Sequence, residues 1–143
     1  MSAIVTAARG WIGTPYVHQA ARRGVGCDCL GLLRGVWAEV DGTDLLSVPT
    51  YTPDWSEPQG DEVLWRGASE LLQSKAIEDA AQGDVLLFRM RQGAVAKHVG
   101  LQANIGEQPS FIHSYQGYGV HEGALTLPWR RRLVARFAIP ERD

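Results

Sequence analysis

Gly26-Cys27-Asp28-Cys29-Leu30-Gly31-Leu32 places a cysteine where an amphipathic helix begins. From Cys29 to about Val40, the apolar residues Leu32, Leu33, Val36, Trp37 and Val40 recur at helical spacing; Asp28 stands at the N-cap and Asp41-Gly42 supplies the stop. A helix N-terminus carries about half a positive charge and unpaired N–H groups. Both favour thiolate over thiol, and the same N–H groups stabilise an oxyanion formed by attack on a carbonyl. The plainer reading of Cys29 is a small apolar core residue.

A cysteine nucleophile needs a base and a group to orient it. The histidines are His18, His98, His113 and His121. His98 opens the run Val99-Gly100-Leu101 and His113 closes Phe111-Ile112, with Asn104-Ile105-Gly106-Glu107 between them as a turn. With that segment as the hairpin loop, Ala103 faces Gln108 and His98 pairs directly with His113, so that one imidazole fixes the tautomer of the other. The plainer reading is two strand-end surface histidines. A third reading joins Cys27, Cys29, His98 and His113 as a Cys2His2 metal module. One residue between the cysteines and fourteen between the histidines argue against it, since such sites use about two to four and three to five.

The elements that must carry these groups divide the chain. Residues 2–10 suit a short helix with Ser2 as cap, broken at Gly13-Thr14-Pro15, and residues 14–28 read as irregular. Residues 43–60, with Pro49, Pro53 and Pro58, read as a surface loop, and 61–73 as a second substantial helix. After Gly83-Asp84, a tight turn, Val85–Met90, Val99–Ala103, Ser110–Ser114, Val120–Glu122 and Leu133–Ile139 are β-prone runs. Helices followed by an antiparallel meander predict an α+β fold, read as one domain over residues 1–143.

Composition bounds the function. Of 143 residues, 45% are hydrophobic and 21% charged, which excludes disorder of the whole chain. A formal net charge of −2 offers no electrostatic case for nucleic acid. Two cysteines are too few for a disulfide scaffold. The apolar runs are strand-sized, so no membrane span is expected, and the N-terminus lacks the basic region of a signal peptide. Arg130-Arg131-Arg132 reads as a solvated charge run, and Trp11, Trp37, Trp55, Trp65 and Trp129 as core and loop anchors, with Trp55 placed to line a groove.

Four segments in order resemble the NlpC-type cell-wall peptidases, a papain-like family of bacterial and phage cysteine peptidases. They are Gly13-Thr14-Pro15-Tyr16-Val17, Asp28-Cys29-Leu30-Gly31-Leu32, Gly83-Asp84-Val85-Leu86-Leu87-Phe88, and His98-Val99-Gly100-Leu101 with Phe111-Ile112-His113-Ser114. The resemblance implies a papain-like fold with N-terminal helices packed on the sheet. It also implies Cys29 as nucleophile, His98 as general base and acid, and His113 as the residue orienting His98. Tyr16 and Asp28 fall on the oxyanion and substrate side, and no metal or cofactor is implied. The implied substrate is a peptidoglycan stem peptide, cut beside D-glutamate and a diamino acid. This sequence departs from the family in Leu30, where serine is usual, in His18-Gln19-Ala20, and in the extra Cys27.

The motif Gly26–Gly31, the early start of the catalytic segment and the missing export signal resemble stand-alone peptidases of phage tail clusters and gene transfer agents. That implies synthesis in the cytoplasm, tail hub or baseplate partners, association with a particle, and action in the periplasm or cell wall. Loop 43–60 and the region from Trp129 onward are the expected contact surfaces. The competing expectation is a catalytically silent tail or plug protein.

Overall fold

A computed structural model describes residues 2–42 and 60–140. The chain opens with α1 (Ala3–Arg9), capped by the Ser2 hydroxyl, which accepts from the Val5 N–H at 3.2 Å. The stretch expected to be irregular contains one tight hairpin, β1 (Ala21–Arg22) with β2 (Gly26–Cys27). Helix α2 (Cys29–Asp41) follows with the expected bounds, closed by Gly42 at φ 72°. It buries Leu30, Leu32, Leu33, Val36 and Trp37, while Val40, counted in the apolar stripe, is exposed.

Helix α3 (Val63–Leu71) is shorter than its pattern predicted. Leu72 turns extended and the chain enters β3 (Gln73–Lys75), which was not foreseen because Gln73-Ser74-Lys75 carries no apolar alternation. The expected strands follow as β4 (Val85–Arg89), β5 (Ala96–Gln102), β6 (Ser110–Tyr115), β7 (Gly119–Ala124) and β8 (Leu133–Ala138). Between the last two lies α4 (Leu127–Arg132), with Pro128 in its first turn; it carries the arginine run.

The sheet is antiparallel, in the order β3-β8-β4-β5-β6-β7. Four strands form the expected meander, and β8 returns to the far side of β4 with β3 beyond it. This is the expected α+β arrangement. Strand β4 lies inside the sheet, which explains why Val85-Leu86-Leu87-Phe88 is continuously apolar rather than alternating. Leu87, Val99, Leu101, Ile112 and Val120 pack with α1 and α2. On the opposite face Leu86, Phe88, Phe111 and Leu125 form a smaller core, covered by Trp129 and Leu133.

At the end of the sheet remote from the histidines, buried Asp84 accepts from Lys75 Nζ at 3.0 Å, from Arg136 at 2.9 Å and from the Ala81 N–H at 2.8 Å. Arg136 also donates to Gln102 at 3.0 Å. Gly83-Asp84 is therefore a turn, as expected, and also the anchor that ties β3, β8 and β5 together. Removing one partner of such a pair costs about 3–5 kcal/mol, because the other charge stays buried.

Candidate active site

The N-terminus of α2 is held from two sides. Asp28 is buried, and its carboxylate accepts from the Gly31 N–H at 2.7 Å and the Gln19 N–H at 2.7 Å. The first bond is the expected N-cap, worth about 1 kcal/mol. Glycine is required at 31, because a Cβ there would overlap the Ala20 carbonyl oxygen. The Pro15–Val17 segment is laced to Cys27 by hydrogen bonds of 2.9 and 3.1 Å, which sets Tyr16 beside the start of the helix.

Cys29 presses against β5 on either side of His98. Its sulfur lies 4.0 Å from the Lys97 carbonyl and within reach of the Val99 N–H. Burial pushes its thiol up to about 12, the N–H groups of Val99, Leu30 and Cys29 itself pull the other way, and Asp28 raises it further. The thiolate expected from the helix terminus alone is thus outweighed by desolvation. The other cysteine, Cys27, is fully buried and faces Ser114, so the two thiols do not converge. Among the described residues no cluster of three or more His, Cys, Asp or Glu side chains is arranged to hold a metal.

His98 and His113 meet, with Nε2 of the first 2.7 Å from Nδ1 of the second. Direct cross-strand pairing was expected, and the structure corrects it. The β5–β6 register pairs Leu101 with Ile112 and Gln102 with Phe111, two residues from the expected one, because the loop runs from Asn104 to Pro109. His113 then lies opposite Gly100, and His98 reaches it on the diagonal. Gly100 leaves the room: a Cβ there would sit 2.8 Å from the Phe111 ring and 3.3 Å from the His113 Cβ. Strand alternation puts His113 on the face of Phe111, on which it stacks at 4.1 Å, while His98 touches Phe88 on that face and also borders the cavity that Cys29 lines.

Both rings are buried, and burial lowers His98 to about 3 and His113 to about 2. At neutral pH the thiol and both imidazoles are therefore uncharged. Cys29, His98, Tyr16 and Asp28 line one cavity of about 350 Å³, which Lys97 and Tyr115 also border. His113 supports His98 from behind. Burial, and then the neighbouring Cys29 and Asp28, raise the Tyr16 hydroxyl to about 12, so it remains a donor.

A model of the NlpC/P60 family matches residues 13–136 of this sequence. The chain belongs to the NlpC/P60 family. No curated protein matches it. Among solved structures, the NlpC/p60 domain of the peptidoglycan hydrolase SagA is 26% identical, with a TM-score of 0.64 over 95% of this chain and 96% of that one. An NLP/P60 family protein similar to lipoprotein, from Staphylococcus aureus, is 22% identical with a TM-score of 0.66. An NlpC/P60 family protein from Bacillus cereus is 20% identical with a TM-score of 0.66. This NlpC/P60 chain covers 98% and 97% of itself in those two matches but spans only 41% and 40% of the two proteins, whose likeness shows the fold. Membership supports a cell-wall hydrolase activity.

Two aromatic contributors were missed in the sequence. Trp129, read there as an anchor, stands 5.7 Å from the His98 ring and 5.2 Å edge-on to His113. His121 is the cross-strand partner of His113, with ring centroids 4.5 Å apart. Gly117 marks the β6–β7 turn, and counting outward from it reaches His121. No local signal brings Trp129 to the site, because its position follows from the path of α4. Trp11 and Trp37 are buried core residues as expected; Trp55 and nearly all of loop 43–60 lie outside the described residues.

Proposed function

We propose that this chain is a cysteine peptidase that hydrolyses amide bonds in peptidoglycan stem peptides through a thioester on Cys29. The observation that carries this reading is the placement of Cys29 against β5 on both sides of His98, with His98 held by His113 at 2.7 Å. The Nε2 atom of His98 is committed to His113, leaving Nδ1 for the thiol. For Nδ1 to accept, Nε2–H must donate to His113 Nδ1, which puts the His113 proton on its own Nε2.

The reaction then balances. As the sulfur attacks the carbonyl carbon, its proton passes to His98 and an oxyanion forms. The Cys29 N–H and the Tyr16 hydroxyl are the donors for that oxyanion. Collapse expels the amine, which takes the proton from His98, and leaves the thioester. Water then gives a proton to His98 and its oxygen to the acyl carbon, and the proton returns to sulfur as the carboxylic acid leaves. Asp28 holds the helix terminus on which the cysteine is mounted. The resting neutral pair makes proton transfer part of the attack rather than a step before it.

The resemblance of Gly26–Gly31 to tail-borne peptidases supports delivery by a phage-like tail to the periplasm or wall, with hub or baseplate proteins as partners. The test of the activity is digestion of purified sacculi followed by mass analysis of the soluble fragments. The expected result is release of peptide fragments cut within the stem by the wild type and none by Cys29→Ala. Release by Cys29→Ala at the wild-type rate would contradict the reading. Delivery is tested separately by looking for the protein in purified particles.

A further inference from the structure

Behind the histidine pair lies a second cavity, of about 310 Å³. Tyr115 lines both cavities, and His113, the partner of His98, lines this one. Its other walls are mostly aromatic. Tyr115 and Tyr118 stack with centroids 5.7 Å apart and planes 17° apart, and Trp129 stands edge-on to Tyr115 at 5.8 Å. His121 borders it between His113 and Tyr118. Tyr118 is 75% exposed, an unusual place for a ring of that size held in a stack.

The polar groups at the cavity are few. The hydroxyls of Tyr115, Tyr118 and Thr126 and the imidazole of His121 are available, and no Asp, Glu, Lys or Arg is among the described residues that line it. His121 Nδ1 lies 3.2 Å from the Gly119 carbonyl, which only accepts, so Nδ1 donates there and the ring edge at Nε2 is left toward the cavity. Flat aromatic walls with a few hydroxyl and imidazole groups suit a ring whose faces are C–H and whose edge is hydroxyl. They do not suit the carboxylates and amines of a stem peptide, which would be desolvated without a counter-charge.

We propose that this cavity binds a neutral N-acetylated pyranose, the sugar of the glycan strand whose peptide occupies the Cys29 cleft. The assignment of the sugar to a glycan strand rests on the proposed peptidase function; the saccharide chemistry rests on the cavity. The two cavities adjoin at Tyr115, which places a sugar in one beside a peptide in the other. His113 then meets the peptide side through His98 and the sugar side through its own ring edge.

The test is titration of the full chain with tetra-N-acetylchitotetraose, an uncharged saccharide without a stem peptide, followed by NMR. Saturable shifts are expected at the Tyr115, Tyr118, His121 and Trp129 rings. Tyr118→Ala, at an exposed turn, is expected to weaken binding about tenfold, the loss of one stacking wall. Absence of saturable binding, shifts centred elsewhere, or equal affinity in Tyr118→Ala would overturn the proposal. Cleavage of a sugar-free stem peptide without saccharide binding would remove this site and leave the peptidase reading. Saccharide binding without cleavage of any muropeptide would do the reverse.

Discussion

His98 and His113 touch at 2.7 Å although the strand register does not pair them, and the residue between them that makes this possible is Gly100. A side chain at 100 would occupy the space into which Phe111 and His113 lean. The contact between the two rings thus depends on a missing Cβ as much as on either imidazole.

Gly100→Ala is accordingly expected to cost about 1–3 kcal/mol through overpacking and to lower kcat more than KM, because the displaced group is the one that holds the proposed base, His98. His113→Asn should keep measurable activity, since its amide oxygen still accepts from His98 Nε2–H. His98→Ala should be nearly as damaging as loss of Cys29. Steady-state kinetics on a soluble muropeptide check all three. Wild-type kcat in Gly100→Ala, or full activity in His98→Ala, would refute the arrangement.

The cysteines should differ in access rather than in acidity. Burial raises Cys27 to about 11 and Cys29 to about 12, but only Cys29 borders the cleft. Iodoacetamide at neutral pH is expected to modify Cys29 slowly, with a rate that climbs through pH 9, and to leave Cys27 untouched until denaturant is added. Peptide mapping reads the result. Earlier or equal modification of Cys27 would contradict it.

The buried histidines should make the fold acid-sensitive. Burial depresses both folded values well below 6.5, to about 3 and about 2, so between those limits the unfolded chain binds more protons than the folded one. Stability therefore rises with pH and is lost as pH falls below 6.5, by up to about 1.4 kcal/mol per pH unit for each histidine held neutral. Thermal melts between pH 7 and 5, where most carboxylates remain ionised, isolate this contribution. His113→Gln should show a shallower decline than the wild type; an equal slope in both would refute it.

What the sequence revealed, and what it hid, follows from the range of the interactions. Asp28, the Leu32–Trp37 stripe and Gly42 specify α2 within a few residues, so its bounds and the place of Cys29 were legible. The histidine pair was legible as a pair, but its register was not, because the Asn104–Pro109 loop ends on a hydrogen bond between Ser110 and Asn104 that no turn motif announces. The Asp84–Arg136 contact spans 52 residues and the approach of Trp129 to His98 depends on the path of α4. Such contacts exist only once the sheet order is set. The heightened acidity of Cys29 expected from the helix terminus is lost for the same reason, since β5 supplies the burial that reverses it.

The most direct measurement is mass spectrometry of the protein, acid-quenched during turnover of a soluble muropeptide and digested under acidic conditions that preserve thioesters. The account predicts a peptide containing Cys29 that is heavier by the acyl fragment, lost on treatment with hydroxylamine and absent in Cys29→Ala. Hydrolysis that proceeds in Cys29→Ala, or an adduct found on Cys27 instead, would contradict it.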